Sequence, residues 1–169
     1  GTTGKPKGIV HSHGGVVLES LKANALHYDV RPGDRVHFAV STTWMVWNLM
    51  VDAMMRGATI ITYDGAPTWQ RPDRHLAICS EERATLFCAG AAIRARAGTV
   101  PKDDLDFTPL RTILSTGSPL PSETWRWAYE SIKSDMLVGS DSGGTDVASG
   151  ILGSNPFDAV WLGELQAPY

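Results

Sequence analysis

Apolar residues along the chain fall into two alternating patterns, helical stripes and short continuous runs. Val17, Leu18, Leu21, Ala25 and Leu26 recur at three- and four-residue spacings and predict an amphipathic helix after a glycine-rich opening loop. Arg31-Pro32-Gly33-Asp34 reads as a turn. A short strand is predicted over Val36 to Val40, then an apolar helix from Trp44 to Arg56 with Gly57 as its stop. Ala58 to Tyr63 has the β-branched, apolar character of a buried strand. A helix is predicted from Pro72 to Thr85 and a strand over Leu86 to Ala89. The polar stretch Pro101-Lys102-Asp103-Asp104 leads to a strand over Leu110 to Leu114, which runs into Ser115-Thr116-Gly117-Ser118. A helix after Pro121, carrying Trp125, Trp127 and Tyr129, precedes a last strand from Met136 to Val138.

Strands and helices therefore alternate, which points to an α/β protein with a mostly parallel sheet and helices on both faces, because parallel neighbours need a crossover and a helix is the usual one. Ligands of such sheets gather beyond the carboxyl ends of the strands. Three glycine- and hydroxyl-rich segments are the places to look: Gly1 to Gly8, Ser115 to Pro119, and Ser140 to Asp146, the last two directly following predicted strands. No internal repeat, low-complexity tract or interdomain linker interrupts the pattern.

Composition narrows the classes. With 169 residues, 43% of them hydrophobic, the chain suits one domain with a real core, and a formal net charge of -3 gives no basic field to draw in nucleic acid or an anionic membrane. No apolar run approaches the ~18 residues of a membrane span, and no basic, then hydrophobic leader opens the chain, so a soluble, cytoplasmic protein is expected. Two cysteines, Cys79 and Cys88, are too few for a disulfide framework. The chain starts on GTTGKPKG without Met and ends on GELQAPY, which reads as an internal piece of a longer protein.

The opening loop holds three glycines, two threonines and two lysines in eight residues. Glycines let backbone N–H groups close on an anion, hydroxyls add donors and ammonium groups neutralise phosphate charge, a composition that suits a polyphosphate. It is not the GxxxxGK[ST] loop of common nucleotide hydrolases. The competing reading is an ordinary surface loop.

GTTGKPKGIVHSHGG resembles the signature loop of the adenylate-forming acyl-CoA synthetase superfamily. Thr116-Gly117-Ser118-Pro119 resembles that family's adenine-contacting Gly-Glu-Pro segment, and Gly144-Thr145-Asp146 its Thr-Glu segment, in the same order. The resemblance runs the length of the chain, through WMVWNLM and RGATIITYDG, and is most similar to the acetoacetate-activating branch in its HxHGG continuation and SGGTD string. It implies that residues 1–169 are a piece of the large N-terminal AMP-binding domain, lacking the preceding strand and the small C-terminal domain.

The same resemblance implies roles. Thr2, Thr3, Gly4 and Lys5 would wrap the β- and γ-phosphates of ATP, with Lys7 nearby, and Gly117, Ser118 and Pro119 would line the adenine, Ser118 standing where Glu is frequent. With Gly144 beside it, Thr145 would touch the α-phosphate. Asp146 would hold Mg²⁺ with a side chain one methylene shorter than the family's Glu, and these last two are the catalytic positions. Trp44, Met45 and Val46 are candidates for the acyl pocket wall, and Gly143 stands where acetate-specific relatives place Trp, which would leave room for a longer acid. The implied reaction is ATP-dependent activation of a short-chain carboxylate such as acetoacetate to an acyl-adenylate, then transfer to CoA, to which no residue is assigned. A piece lacking the rest of the enzyme would not complete it alone.

Other readings compete. Ser140-Asp141-Ser142-Gly143-Gly144 invites a serine hydrolase using Ser142 with His11 or His13 as base, although the G-x-S-x-G elbow is not met. His11 and His13 with Cys79 and Cys88 lack any zinc-site spacing. The Trp44 to Met50 cluster reads as core whose first turn reaches the pocket, and Glu81-Glu82-Arg83 as a solvated helical face. An idle structural piece that binds nothing is the third alternative.

Overall fold

The structure, a computed structural model, describes residues 5, 8–91 and 103–169. It opens with α1 (His13–Lys22), started by Ser12, whose side-chain oxygen accepts the Gly15 N–H at 3.2 Å, and continued by a π-helical turn over Ala23–His27. β1 (Arg35–Phe38) and α2 (Met45–Asp52) follow, then a 3₁₀ turn, Ala53–Arg56, closed by Gly57 at φ 77°, a left-handed stop that suits glycine. β2 (Thr59–Ile61), α3 (Arg74–Glu81), β3 (Leu86–Gly90), β4 (Thr112–Thr116) and α4 (Ser122–Ser131) continue the alternation. β5 (Leu137–Gly144), β6 (Ser149–Gly153) and β7 (Ala167–Pro168) end it.

The strands form one seven-stranded sheet in the order β2-β1-β3-β4-β5-β6-β7. The first five are parallel, and β6 and β7 join antiparallel. Period-two alternation sends side chains to opposite faces. Val36, Phe38, Leu86, Cys88 and Leu114 face α2 and the π-helical turn after α1. Phe87, Ala89, Ile113 and Val138 pack with α3 and α4 on the other face. This is the expected α/β architecture with helices on both faces. Among the described residues no helix is long and apolar enough to cross a membrane.

Three expectations are corrected. Of the predicted apolar stripe Val17, Leu18 and Leu26 are exposed and Leu21 and Ala25 are half-buried, while Ser20, Ala23, Asn24 and His27 are buried. The polar residues face inward because they are paired there: Ser20 Oγ donates to Asp52 Oδ2 at 2.5 Å, and Asn24 Nδ2 donates to the Leu49 carbonyl at 3.2 Å, tying this segment to α2. The glycine-rich stretch Ser140 to Gly144 does not follow a strand but is the end of β5, paired with β4 as far as Asp141 and with β6 beyond. The hairpin to β6, and β7 itself, carried no recognisable hydrophobic run.

The aromatic helix packs as core. Trp125 is 1% exposed and its Nε1 donates to the Val138 carbonyl at 3.1 Å, fastening α4 to β5. At the same, amino-terminal end of the parallel strands Arg111 forks onto Asp34 at 2.7 and 2.6 Å and reaches Asp29 at 3.2 Å. The Arg31 to Asp34 turn is thereby held against the start of β4. Glu81, Glu82 and Arg83 are exposed, as expected of a solvated face.

Candidate functional site

The order β2-β1-β3 reverses the direction in which strands are added, and a sheet of this kind has its crevice beyond the carboxyl ends of the strands at such a switch. A cavity of about 490 Å³ lies at the carboxyl ends of β3, β4 and β5, beneath the start of α2. The start of α2 supplies an apolar wall of Trp44, Met45, Val46 and Leu49, joined by Cys88 from β3. The end of β4 and the loop after it contribute Thr116 to Leu120, and the bulged end of β5 with the first residue beyond it contributes Ser140 to Thr145.

The structure brings most of the predicted residues into this one cavity. Trp44, Met45 and Val46 line it, as do Gly117, Ser118 and Pro119 and, opposite, Gly143, Gly144 and Thr145. Trp44 and Met45 are half-buried, whereas Val46 is 6% exposed and shared with the core. Gly117, in the lining, has φ 91°, a left-handed conformation that suits glycine. Asp146 lies one residue beyond the lining, exposed on the turn between β5 and β6. Lys5 is exposed and is not part of the lining. Thr2, Thr3, Gly4 and Lys7 lie outside the described residues.

Gly143 has a different physical reason from the room it was expected to leave. A Cβ there would stand 2.1 Å from the Ser149 carbonyl oxygen and 2.8 Å from Gly150 Cα, backbone that cannot give way. The missing side chain lets β6 close on the bulge of β5. At Gly144, by contrast, no atom of the described residues beyond its chain neighbours lies within 4 Å of where a Cβ would stand, so that is the glycine with space beside it.

One group in the wall escaped the sequence reading. Asp141, 8% exposed at the last parallel rung opposite Thr116, accepts from the Ser154 N–H at 2.8 Å and from Ser154 Oγ at 2.7 Å on one oxygen. Its other oxygen accepts from the Tyr169 hydroxyl at 3.1 Å, and the Tyr28 hydroxyl lies beside the same carboxylate. Tyr169 is stacked on His27 at 3.7 Å, whose Nδ1 meets the Ser154 carbonyl at 2.9 Å. Burial raises the Asp141 carboxyl above its ordinary value, partly countered by these donors, and burial together with Asp141 raises the Tyr28 hydroxyl. Burial likewise raises the Cys88 thiol. A lone acid among small strand residues was the available signal; its partners lie far along the chain and only the fold assembles them.

Among the described residues no three His, Cys, Asp or Glu side chains gather as a metal group, which removes the zinc alternative for Cys79 and Cys88, buried in different clusters. Magnesium makes a smaller demand, one or two carboxylates with a substrate's phosphates completing its shell. Exposed Asp146, engaged by no salt bridge among the described residues and next to cavity-lining Thr145, fits that demand.

Parallel strands covered by helices on both faces, with hydroxyls and glycines converging on a carboxyl-end crevice, define a doubly wound α/β ligand-binding domain. The chain belongs to the AMP-binding enzyme family, whose model matches residues 1–140. It is 39% identical over 170 residues to an acetoacetyl-CoA synthetase from Gallus gallus, covering 99% of this chain and 26% of that protein. It is 40% identical over 172 residues to an acetoacetyl-coenzyme A synthetase from Rhizobium meliloti (strain 1021), with the same coverage. The solved acetoacetyl-CoA synthetase from Streptomyces lividans superposes with a TM-score of 0.91 at 43% identity, covering 99% of this chain and 27% of that one. The chain thus spans about a quarter of the length of these relatives. Family membership replaces the serine-hydrolase alternative. Ser142 is an exposed β5 residue paired with Leu152 at the bulge, and His11 and His13 are exposed at the start of α1.

Proposed function

We propose that the protein containing this chain is an AMP-forming acid–CoA ligase that activates acetoacetate with ATP and passes the acyl group to CoA. The observation that carries the reading is the convergence of three chain segments, Trp44 to Val46, Thr116 to Pro119 and Gly143 to Thr145, on one cavity at the strand ends. Similarity to acetoacetyl-CoA synthetases over 99% of the chain supports the choice of acid.

In this reading Gly117, Ser118 and Pro119 receive the adenine, and the apolar wall of Trp44, Met45 and Val46 holds the acyl chain. The substrate carboxylate lies towards Thr145, whose hydroxyl serves the α-phosphate. Thr2, Thr3, Gly4 and Lys5 serve the departing pyrophosphate. Attack and departure both concentrate negative charge on phosphate oxygens, so the protein contributes positioned donors and positive charge rather than a nucleophile. Magnesium, held by Asp146, would neutralise part of that charge when bound. The setting is the cytoplasm.

The test is pyrophosphate release by the full-length parent across acetate, acetoacetate, 3-hydroxybutyrate and longer acids. Acetoacetate is expected to give the highest kcat/KM. A clear preference for acetate, or no ATP-dependent turnover of any acid, would overturn the proposal.

A further inference from the structure

The cavity holds a charge that the activation chemistry leaves unused. Asp141 lines it together with Tyr28, Cys88 and the apolar side chains of α2. Its carboxylate accepts from the Ser154 N–H, the Ser154 hydroxyl and the Tyr169 hydroxyl, with the Tyr28 hydroxyl beside them. The Ser154 N–H can only donate, and with the Ser154 and Tyr169 hydroxyls turned to donate as well, these partners hold the carboxyl as the anion against the opposing effect of burial. Among the described residues no salt bridge neutralises it. Gly153 keeps that arrangement close, since a Cβ there would stand 2.2 Å from Asp141 Oδ1.

A buried, unpaired negative charge in a cavity wall acts on whatever enters. Its attraction and repulsion are stronger there than in water, and placing a like charge against it costs several kcal/mol in interfaces generally. The site must nevertheless admit one carboxylate, whose place in the proposed reaction is at the nucleotide side, near Thr145. We propose that Asp141 is a specificity-determining residue that works by charge: it turns the single carboxylate of the substrate towards the nucleotide and excludes acids with a second carboxylate at the far end of the acyl chain. The acids admitted would be monocarboxylates whose distal end is neutral. This rests on the activation reading above.

Succinate and its half-amide, succinamate, have nearly the same shape as each other and the same carbon count as acetoacetate, and they differ in charge at the distal end. In the full-length enzyme, kcat/KM for pyrophosphate release is expected to be at least ~10-fold higher with succinamate than with succinate. Asp141→Asn retains an oxygen for the Ser154 donors and removes the charge, so it should shrink that ratio towards one, while Asp141→Glu should retain it. A merely structural role would lower both acids together and leave the ratio where it was. Equal use of succinate and succinamate by the wild-type enzyme would overturn the inference without any variant being needed, as would an unchanged ratio in a folded Asp141→Asn. Pyrophosphate release with acetoacetate in the same assay separates the two failures: where acetoacetate is turned over and the ratio is unmoved, only the charge filter falls, and where no acid is turned over both readings fall.

Discussion

The indole of Trp44 occupies the ground a side chain at Gly117 would take: a Cβ there would meet its Cη2 at 3.2 Å and its Cζ2 at 3.3 Å. Trp44 caps α2 on the acyl side of the cavity and Gly117 begins the loop after β4 on the nucleotide side. Their contact makes the two walls one surface. Gly117→Ala adds both a clash with the ring and the strain of a side chain at φ 91°. Left-handed strain alone costs about 1–3 kcal/mol. Urea denaturation should show a loss of that order, and ATP titration of the full-length variant should show weaker binding with an altered Trp44 fluorescence. Unchanged stability and affinity would mean that the ring does not rest on the loop.

Gly143 and Gly144, adjacent on β5, should respond in opposite ways. Gly143→Ala forces its Cβ into the Ser149 carbonyl, so β6 must part from β5, with a cost of about 1–3 kcal/mol for overpacking in denaturant titration. Gly144→Ala meets nothing among the described residues within 4 Å beyond its chain neighbours and should leave the unfolding midpoint nearly unmoved, acting instead on ligand affinity. Equal destabilisation by the two would contradict the bulge geometry.

His37 predicts an acid-sensitive fold. It is 1% exposed, its Nδ1 meets the Ile61 carbonyl at 3.0 Å and its Nε2 meets His75 Nδ1 at 2.9 Å, with Phe87 stacked against it. Burial lowers its pKa from the ordinary 6.5. The unfolded chain therefore takes up a proton that the folded chain resists, so this contribution is complete above about 6.5 and is lost as the pH falls from there through the lower native value, at up to ~1.4 kcal/mol per pH unit. Melting temperatures measured from pH 8 to pH 5 should fall at the acid end, and the fall should be shallower in His37→Gln. An identical slope in that variant would assign the acid sensitivity elsewhere.

Trp125→Phe tests the joint between α4 and β5. It removes the donor to the Val138 carbonyl and leaves a void in a position 1% exposed. The expected loss is about 2–4 kcal/mol, from cavity formation and the lost hydrogen bond together. Equilibrium unfolding followed by far-UV circular dichroism measures it, and a change below 1 kcal/mol would show that the helix is held mainly by its other contacts.

Much of this was readable in advance because it is local. Gly57 stops its helix through its own φ, Arg31 to Asp34 turn through their own chemistry, and the apolar runs at Leu86 and Leu114 are buried on both faces of the sheet as their composition requires. The stripe at Val17, Leu18 and Leu26 misled because spacing gives a helix its period but not its partner, and here α2 offers Asp52 and the Leu49 carbonyl to the polar side. β6 was missed because its residues, Ser149-Gly150-Ile151-Leu152-Gly153, owe their extended form to pairing with β5 rather than to propensity.

By itself the sequence determined that strands and helices alternate, that a parallel sheet results, and that glycine–hydroxyl segments stand where such sheets bind ligands. Those properties depend on residues within a few positions of one another. Tertiary structure alone decided that Asp141 is ringed by Tyr28, Ser154 and Tyr169, that Gly143 is empty to admit β6, and that Trp44 lies on Gly117. Each of these is a contact between residues remote in sequence, set by sheet order and backbone approach, and no local pattern encodes the distance between two such points.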